Sequence, residues 1–256
     1  MPDGMSELST QRIASFDGTQ LAVHRLGAGR PVLLLHGLFS SAEVNWIKFG
    51  HAALLAEAGF EAIMPDLRAH GESDSPLNPL AYPPDVLVRD AKAVVNDLGL
   101  TDYHLVGFSL GARTSVQAVA AGLEPDRLVL AGMGLQGLFD WDRRAGFFLD
   151  MIHRFDAIER GDPAWFAKSF MVSMGIYRDA AKLLLEAVDE VGREDLAALE
   201  MPTAVVCGDE DRDNGSPEEL ANVLPAAKHI EIPGTHMSCV TRPALGRAIC
   251  DFLLDG

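Results

Sequence analysis

His104-Leu105-Val106-Gly107-Phe108-Ser109-Leu110-Gly111 is the stretch on which the reading of this chain turns. Residues 104–106 show no alternation of polar and apolar side chains, which is how a strand buried on both faces reads. Residues 110–121 carry helical periodicity instead. Gly107-Phe108-Ser109-Leu110-Gly111 must therefore turn the chain sharply from strand to helix. A serine held in such a turn is strained but fully presented, and its flanking glycines avoid Cβ clashes. The helix that starts at Leu110 also aims free N–H groups and the positive end of its dipole at the turn. Ser109 is a candidate nucleophile. The competing reading is a serine that merely caps the helix.

Outward from this turn, the same buried-strand pattern recurs at 31–35, 61–65, 128–131, 203–207 and 229–232. Residues 11–16 and 20–25 flank Asp17-Gly18-Thr19, a turn signal that predicts a β-hairpin. Helical periodicity appears at 47–58, 86–98, 110–121 and 242–254. Strand–helix alternation with doubly buried strands predicts an α/β fold: a mostly parallel, eight-stranded sheet flanked by helices. A single domain over residues 1–256 accommodates it. The alternation breaks at 137–196, which holds half of the chain's aromatic residues and no strand signal. We read that segment as a small helical cap over the strand ends. Phe39, Phe139, Trp141, Phe147, Phe148 and Met237 are the expected lining of an apolar substrate pocket beneath it.

A serine hydroxyl is a poor nucleophile at neutral pH and needs a positioned base. Of eight histidines, His24 and His104 lie in strands, His51 in a helix, His36 in a loop after the 31–35 strand and His153 in the cap. His236 follows the last strand in the loop Pro233-Gly234-Thr235-His236. In a parallel sheet that loop reaches the same carboxyl edge as Ser109, where ligands bind in open α/β sheets. The imidazole needs a carboxylate to hold its tautomer. Gly208-Asp209-Glu210-Asp211-Arg212-Asp213 supplies several, and spacing after Gly208 puts Asp211 first, with Asp213 and Asp209 behind it and Asp140 and Asp142 further off. Acyl transfer also needs donors for an oxyanion. The N–H groups of Leu38 and Leu110 are the expected pair, with Phe39 the alternative to Leu38.

Composition narrows the function classes. A net charge of −16 and a pI of 4.8 repel nucleic acid and acidic membrane surfaces, so neither is an expected partner. Three cysteines without CxxC or Cys/His spacing predict neither a disulfide framework nor a metal site. Residues 1–10 carry no secretory signal pattern and no apolar run is long enough to span a bilayer, which points to the cytoplasm. The Asn214-Gly215-Ser216 sequon is then read as accidental. Oligomeric state is not encoded in any pattern we find.

Taken together, His36-Gly37, then Asp66-Leu67-Arg68-Ala69-His70-Gly71-Glu72-Ser73, then Gly107-Phe108-Ser109-Leu110-Gly111, and finally Gly208-x-x-Asp211 with His236 occur in the order of the α/β-hydrolase superfamily, which the chain resembles over essentially its whole length. Within it the chain looks most like small bacterial carboxylesterases. The resemblance implies a structural role for residues 66–73 and an insertion after the sixth strand, matching 137–196. It also implies a cofactor-free serine hydrolase acting on a small-molecule ester with an apolar group, through Ser109, Asp211 and His236. A C–C bond hydrolase, lactonase, thioesterase or perhydrolase using the same residues is the alternative, and a non-enzymatic ligand sensor a more distant one. Epoxide hydrolases and dehalogenases of the superfamily carry aspartate where Ser109 stands.

Overall fold

The computed structural model describes residues 7–255. Residues 1–6, which hold part of the stretch read above as lacking a secretory signal, lie outside the described residues, as does Gly256. Strands β1 (Ser9–Ala14) and β2 (Gln20–Gly27) form the expected hairpin, with Ala14 opposite Gln20. Its turn is wider than the Asp17-Gly18-Thr19 triplet, because Ser15 N–H bonds to the Thr19 carbonyl at 2.8 Å. The first strand therefore ends two residues before the predicted boundary. Strands β3 (Arg30–Leu35), β4 (Phe60–Pro65), β5 (His104–Phe108), β6 (Arg127–Ala131), β7 (Thr203–Gly208) and β8 (Ala227–Ile232) complete one eight-stranded sheet. Its order is β1-β2-β4-β3-β5-β6-β7-β8, antiparallel at β1–β2 and β2–β4 and parallel elsewhere.

The alternating direction of strand side chains divides the core in two. Leu33, Leu35, Leu105, Leu128 and Val205 face one apolar layer, while Val32, Leu34, Val106, Val129 and Val206 face the other. Helix α1 (His51–Glu57) covers the second layer, together with the C-terminal helix described below. Helices α2 (Val86–Asp97) and α3 (Leu110–Ala120) cover the first. The helix predicted at 47–58 is split, since Gly50 adopts a φ of 81° between a π-type turn, Glu43–Ile47, and α1.

Between β6 and β7 lie α4 (Leu135–Phe139), α5 (Trp141–His153), α6 (Trp165–Ser173) and α7 (Arg178–Ala187), followed by a short 3-10 turn, Glu194–Ala198. The buried Arg113 side chain of α3 ties this insertion to the sheet domain. Its Nη1 donates to the Leu138 carbonyl at 2.6 Å, and its Nη2 to the Asp189 carbonyl at 2.8 Å. Helix α8 (Pro217–Val223) follows β7 and was not anticipated; Ser216 caps it by accepting from Glu219 N–H. The chain then forms a single turn, α9 (His236–Cys239), and the C-terminal α10 (Pro243–Leu254).

Cys207, Cys239 and Cys250 are free and buried. Asn214 is also buried, and its Nδ2 donates to the Gly132 carbonyl at 2.7 Å, so the sequon's amide is occupied inside the fold. Among the described residues no helix is long and apolar enough to cross a membrane.

Candidate active site

The chain reverses its direction of travel across the sheet at β3, which pairs with β4 on one side and β5 on the other. Loops at the carboxyl ends of β3 and β5 therefore diverge and leave a crevice. Ser109 stands at that point, directly after β5, with φ 53° and ψ −111°. Few residues with a Cβ adopt such a conformation, and surrounding packing must enforce it. The glycines on either side make the packing possible. A Cβ on Gly111 would lie 2.1 Å from the Leu35 carbonyl oxygen, and one on Gly107 would lie 2.3 Å from that of Gly111. Ser109 occupies the capping position of α3, yet its side chain makes no capping hydrogen bond.

The hydroxyl turns instead to the histidine after β8. Ser109 Oγ lies 3.2 Å from His236 Nε2, and His236 Nδ1 lies 2.9 Å from Asp211 Oδ2. All three side chains are buried. A carboxylate only accepts, so Nδ1 carries the proton and Nε2 is left to accept from the serine hydroxyl. His236 is not in an open loop, as the sequence suggests. It is the first residue of α9, where Thr235 and Ser238 cap each other reciprocally and fix the ring's direction.

Among the acids after Gly208, only Asp211 meets the imidazole. Its other oxygen accepts from Asp213 N–H at 3.0 Å. Burial pushes the Asp211 carboxyl up, but the hydrogen bond and charge of His236, the Asp213 N–H and nearby Arg144 outweigh it and hold the group below the usual carboxylate value. Asp209 instead accepts from Gly234 N–H at 2.7 Å, bracing the loop that carries His236. Asp213 contributes its backbone. Asp140 and Asp142 lie at the start of α5, on the insertion.

Leu38 and Phe39 differ in how their N–H groups are used. Phe39 sits at φ 57° and donates its N–H to His70 Nε2 at 2.9 Å. Among the described residues, no acceptor takes the N–H of Leu38 or of Leu110. Both residues line a cavity of about 10 Å3 that reaches Ser109, room for one water molecule. Met133, Gly137, Trp141, Phe148, Asn214, Arg113 and Arg144 complete its wall.

That wall corrects the expected pocket. Trp141 and Phe148 belong to it, whereas Phe39, Phe139, Phe147 and Met237 do not. Phe39 lies one layer behind, its ring 5.4 Å from Phe148 and 6.4 Å from His70. Phe139 ends α4 and packs within the insertion beneath the Arg193 guanidinium, 4.9 Å away. Phe147 fails on helical phase. Positions 141, 144 and 148 share one face of α5, and the residue before 148 is turned about 100° away, leaving Phe147 42% exposed. Met237 follows His236 in α9 and is turned out to solvent. Arg113 and Arg144 were missed altogether. The signal was present: Arg113 lies one helical turn beyond Ser109, and Arg144 lies three residues after Trp141.

Residues 30–150 match a family model described as the alpha/beta hydrolase fold. Over 214 residues the chain is 30% identical to the AB hydrolase superfamily protein YisY of Bacillus subtilis (strain 168), covering 75% of this chain and 78% of that protein. Epoxide hydrolase 3 of Siraitia grosvenorii is 37% identical, but over 38% of this chain and 29% of its own length. Among solved structures, a thermophilic esterase from Thermogutta terrifontis superimposes with a TM-score of 0.72 at 25% identity, over 96% of this chain and 98% of that one. An eight-stranded sheet of this order, matched in sequence along most of a curated member, places the chain in the α/β-hydrolase superfamily.

Proposed function

We propose that this protein is a serine hydrolase that cleaves carboxylic esters through an acyl-enzyme. The observation that carries the reading is the continuous chain from Asp211 through His236 to Ser109, beside two backbone N–H groups without protein partners. Epoxide hydrolases of the superfamily carry an aspartate at the nucleophile position, so Ser109 favours acyl chemistry over epoxide opening.

In the first step His236 Nε2 takes the hydroxyl proton as Ser109 Oγ attacks the ester carbonyl carbon. The N–H groups of Leu38 and Leu110 receive the developing oxyanion. Asp211 holds Nδ1–H and stabilises the imidazolium. Collapse of the tetrahedral adduct expels the alcohol, which leaves with the proton from Nε2. Water then gives a proton to His236 Nε2 as it attacks the acyl carbonyl, and Nε2 returns that proton to Ser109 Oγ as the acid leaves. Leu38, Met133, Trp141 and Phe148 supply an apolar wall for the acyl chain. The cavity is smaller than an ester as it stands, so its wall gives when substrate binds.

A fluorophosphonate probe with peptide mapping tests the nucleophile directly. Labelling should fall on Ser109, and Ser109→Ala should lose both labelling and at least about 10³-fold in ester turnover, with an unchanged circular dichroism spectrum. Labelling of a different residue in the folded protein sinks the reading.

A further inference from the structure

The cavity over Ser109 holds more hydrogen-bond donors than its surroundings use. Arg113 is 1% exposed and spends its Nη atoms on the insertion, yet its Nε has no partner. Trp141 is 4% exposed and its Nε1 has none either. Arg144 donates from Nη1 to the Asp213 carbonyl at 2.6 Å, and its remaining N–H groups meet no acceptor among the described residues. Of the eight buried side-chain nitrogen and oxygen atoms without a partner among the described residues, two, Arg113 Nε and Trp141 Nε1, belong to residues lining this one small space. Such donors are costly to leave unmatched, which calls for an acceptor there, and the partly exposed Arg144 adds further donors. The acceptors nearby are committed. Asp211 serves His236 and Asp213 N–H, and Glu190 serves Arg113 and Asp142 N–H.

The charge pattern points the same way. The chain carries a net charge of −16, yet the residues that line this cavity include two arginines and no carboxylate. A neutral acyl chain satisfies none of the open donors. A single water fills the space and bonds some of them, and a planar, doubly accepting anion matches a guanidinium edge far better. Short span matters too, because Ser109 and Arg144 line the same small cavity.

We propose that the substrate is a half-ester of a short dicarboxylic acid, its free carboxylate bound by Arg144 with help from Trp141 Nε1 and Arg113 Nε, and its ester carbonyl held against Ser109. The proposal rests on the ester-hydrolase reading above and adds the chemistry at the far end of the acyl chain. The apolar wall then contacts the methylenes between the two ends.

The test compares monomethyl succinate, glutarate and adipate with methyl butyrate, by titrating the acid released by the wild type, Arg144→Met and Arg144→Lys. At least one half-ester should exceed methyl butyrate in kcat/KM by about 10-fold or more in the wild type. That ratio should fall about 10- to 100-fold in Arg144→Met, the range expected for a charged hydrogen bond, and less in Arg144→Lys. No preference for any half-ester overturns the proposal. So does a parallel loss on both ester types in Arg144→Met, which assigns Arg144 to holding the Asp211–Asp213 loop alone. Calorimetric titration with succinate, glutarate and adipate separates this inference from the ester-hydrolase reading. If no ester turns over, that reading fails, and diacid binding lost in Arg144→Met still supports the carboxylate site, whereas no diacid binding to the wild type overturns it.

Discussion

Asp66 and Asp211 are both buried carboxylates that follow strands of one sheet, β4 and β7, and each meets a histidine. Their surroundings differ in what is left open. Asp66 accepts from Ala42 N–H at 2.8 Å and Glu72 N–H at 2.7 Å, and meets His24 Nε2 at 3.3 Å. His36 Nε2 accepts from Leu67 N–H, and His70 Nε2 from Phe39 N–H, each at 2.9 Å. Their Nδ1 atoms lie 2.8 and 2.9 Å from the carbonyls of Gly37 and Arg68. Every ring nitrogen of His36 and His70 is thus committed to backbone, and the cluster braces the loop that presents Leu38. His24, the third histidine of that cluster, has its Nδ1 2.8 Å from the hydroxyl of Thr10 on the ordinary strand β1. Around Asp211 a single histidine faces a hydroxyl held in a strained turn, beside two N–H groups without acceptors among the described residues. A histidine near an aspartate is therefore no sign of chemistry by itself. A ring nitrogen opposite a hydroxyl that a strained turn presents beside free N–H groups is.

The comparison breaks most sharply at the carboxylate. Asp211→Asn should lower kcat on a model ester by about 10³- to 10⁴-fold, because the amide no longer enforces the tautomer. A loss under about 10-fold would move the role elsewhere. The brace cluster predicts a stability effect instead. Burial, with the charge of His36 beside it, pushes the His70 imidazole down from 6.5 to about 3, so it stays neutral in the fold while the unfolded chain takes a proton as pH falls below 6.5. Stability from this group is complete above about pH 6.5 and declines below it, by about 2 kcal/mol at pH 5. His70→Gln keeps an acceptor for Phe39 N–H, so urea titrations at pH 7.5 and 5 should show that acid sensitivity reduced by about this amount. An unreduced acid slope would mean His70 is not held neutral. The smallest effect belongs to Asp213, which offers Asp211 its N–H and Arg144 its carbonyl, not its side chain. Asp213→Asn should change kcat less than about 3-fold; a loss approaching that of Asp211→Asn would end the distinction between the two.

Much of this was legible in the chain. Strands β3 to β7 announced themselves as apolar runs without alternation, and the insertion as a long gap in the strand pattern, whereas 229–232, read the same way, belongs to the edge strand β8, which has a neighbour on one side only and stays partly exposed. Ser109 and His236 stood out because parallel strands deliver the loops at their carboxyl ends to one edge, whatever their separation in sequence. Where reading failed, periodicity was silent on partners. Five aromatics and Met237 looked equally suited to a pocket, and helical phase and backing layers admitted only Trp141 and Phe148. Nothing in the periodicity singled out Arg113 or Arg144.

Sequence alone determined the sheet, the strained turn at Ser109 and the edge at which distant loops converge, because burial patterns and local turn chemistry are written in neighbouring residues. Tertiary structure alone decided which of Asp209, Asp211 and Asp213 meets the imidazole, whether the Leu38 or the Phe39 N–H stays free, and that arginines face the nucleophile. Those outcomes depend on hydrogen-bond partners brought together from remote parts of the chain. A pattern of buried and exposed positions says which side of an element is covered, and nothing about what covers it.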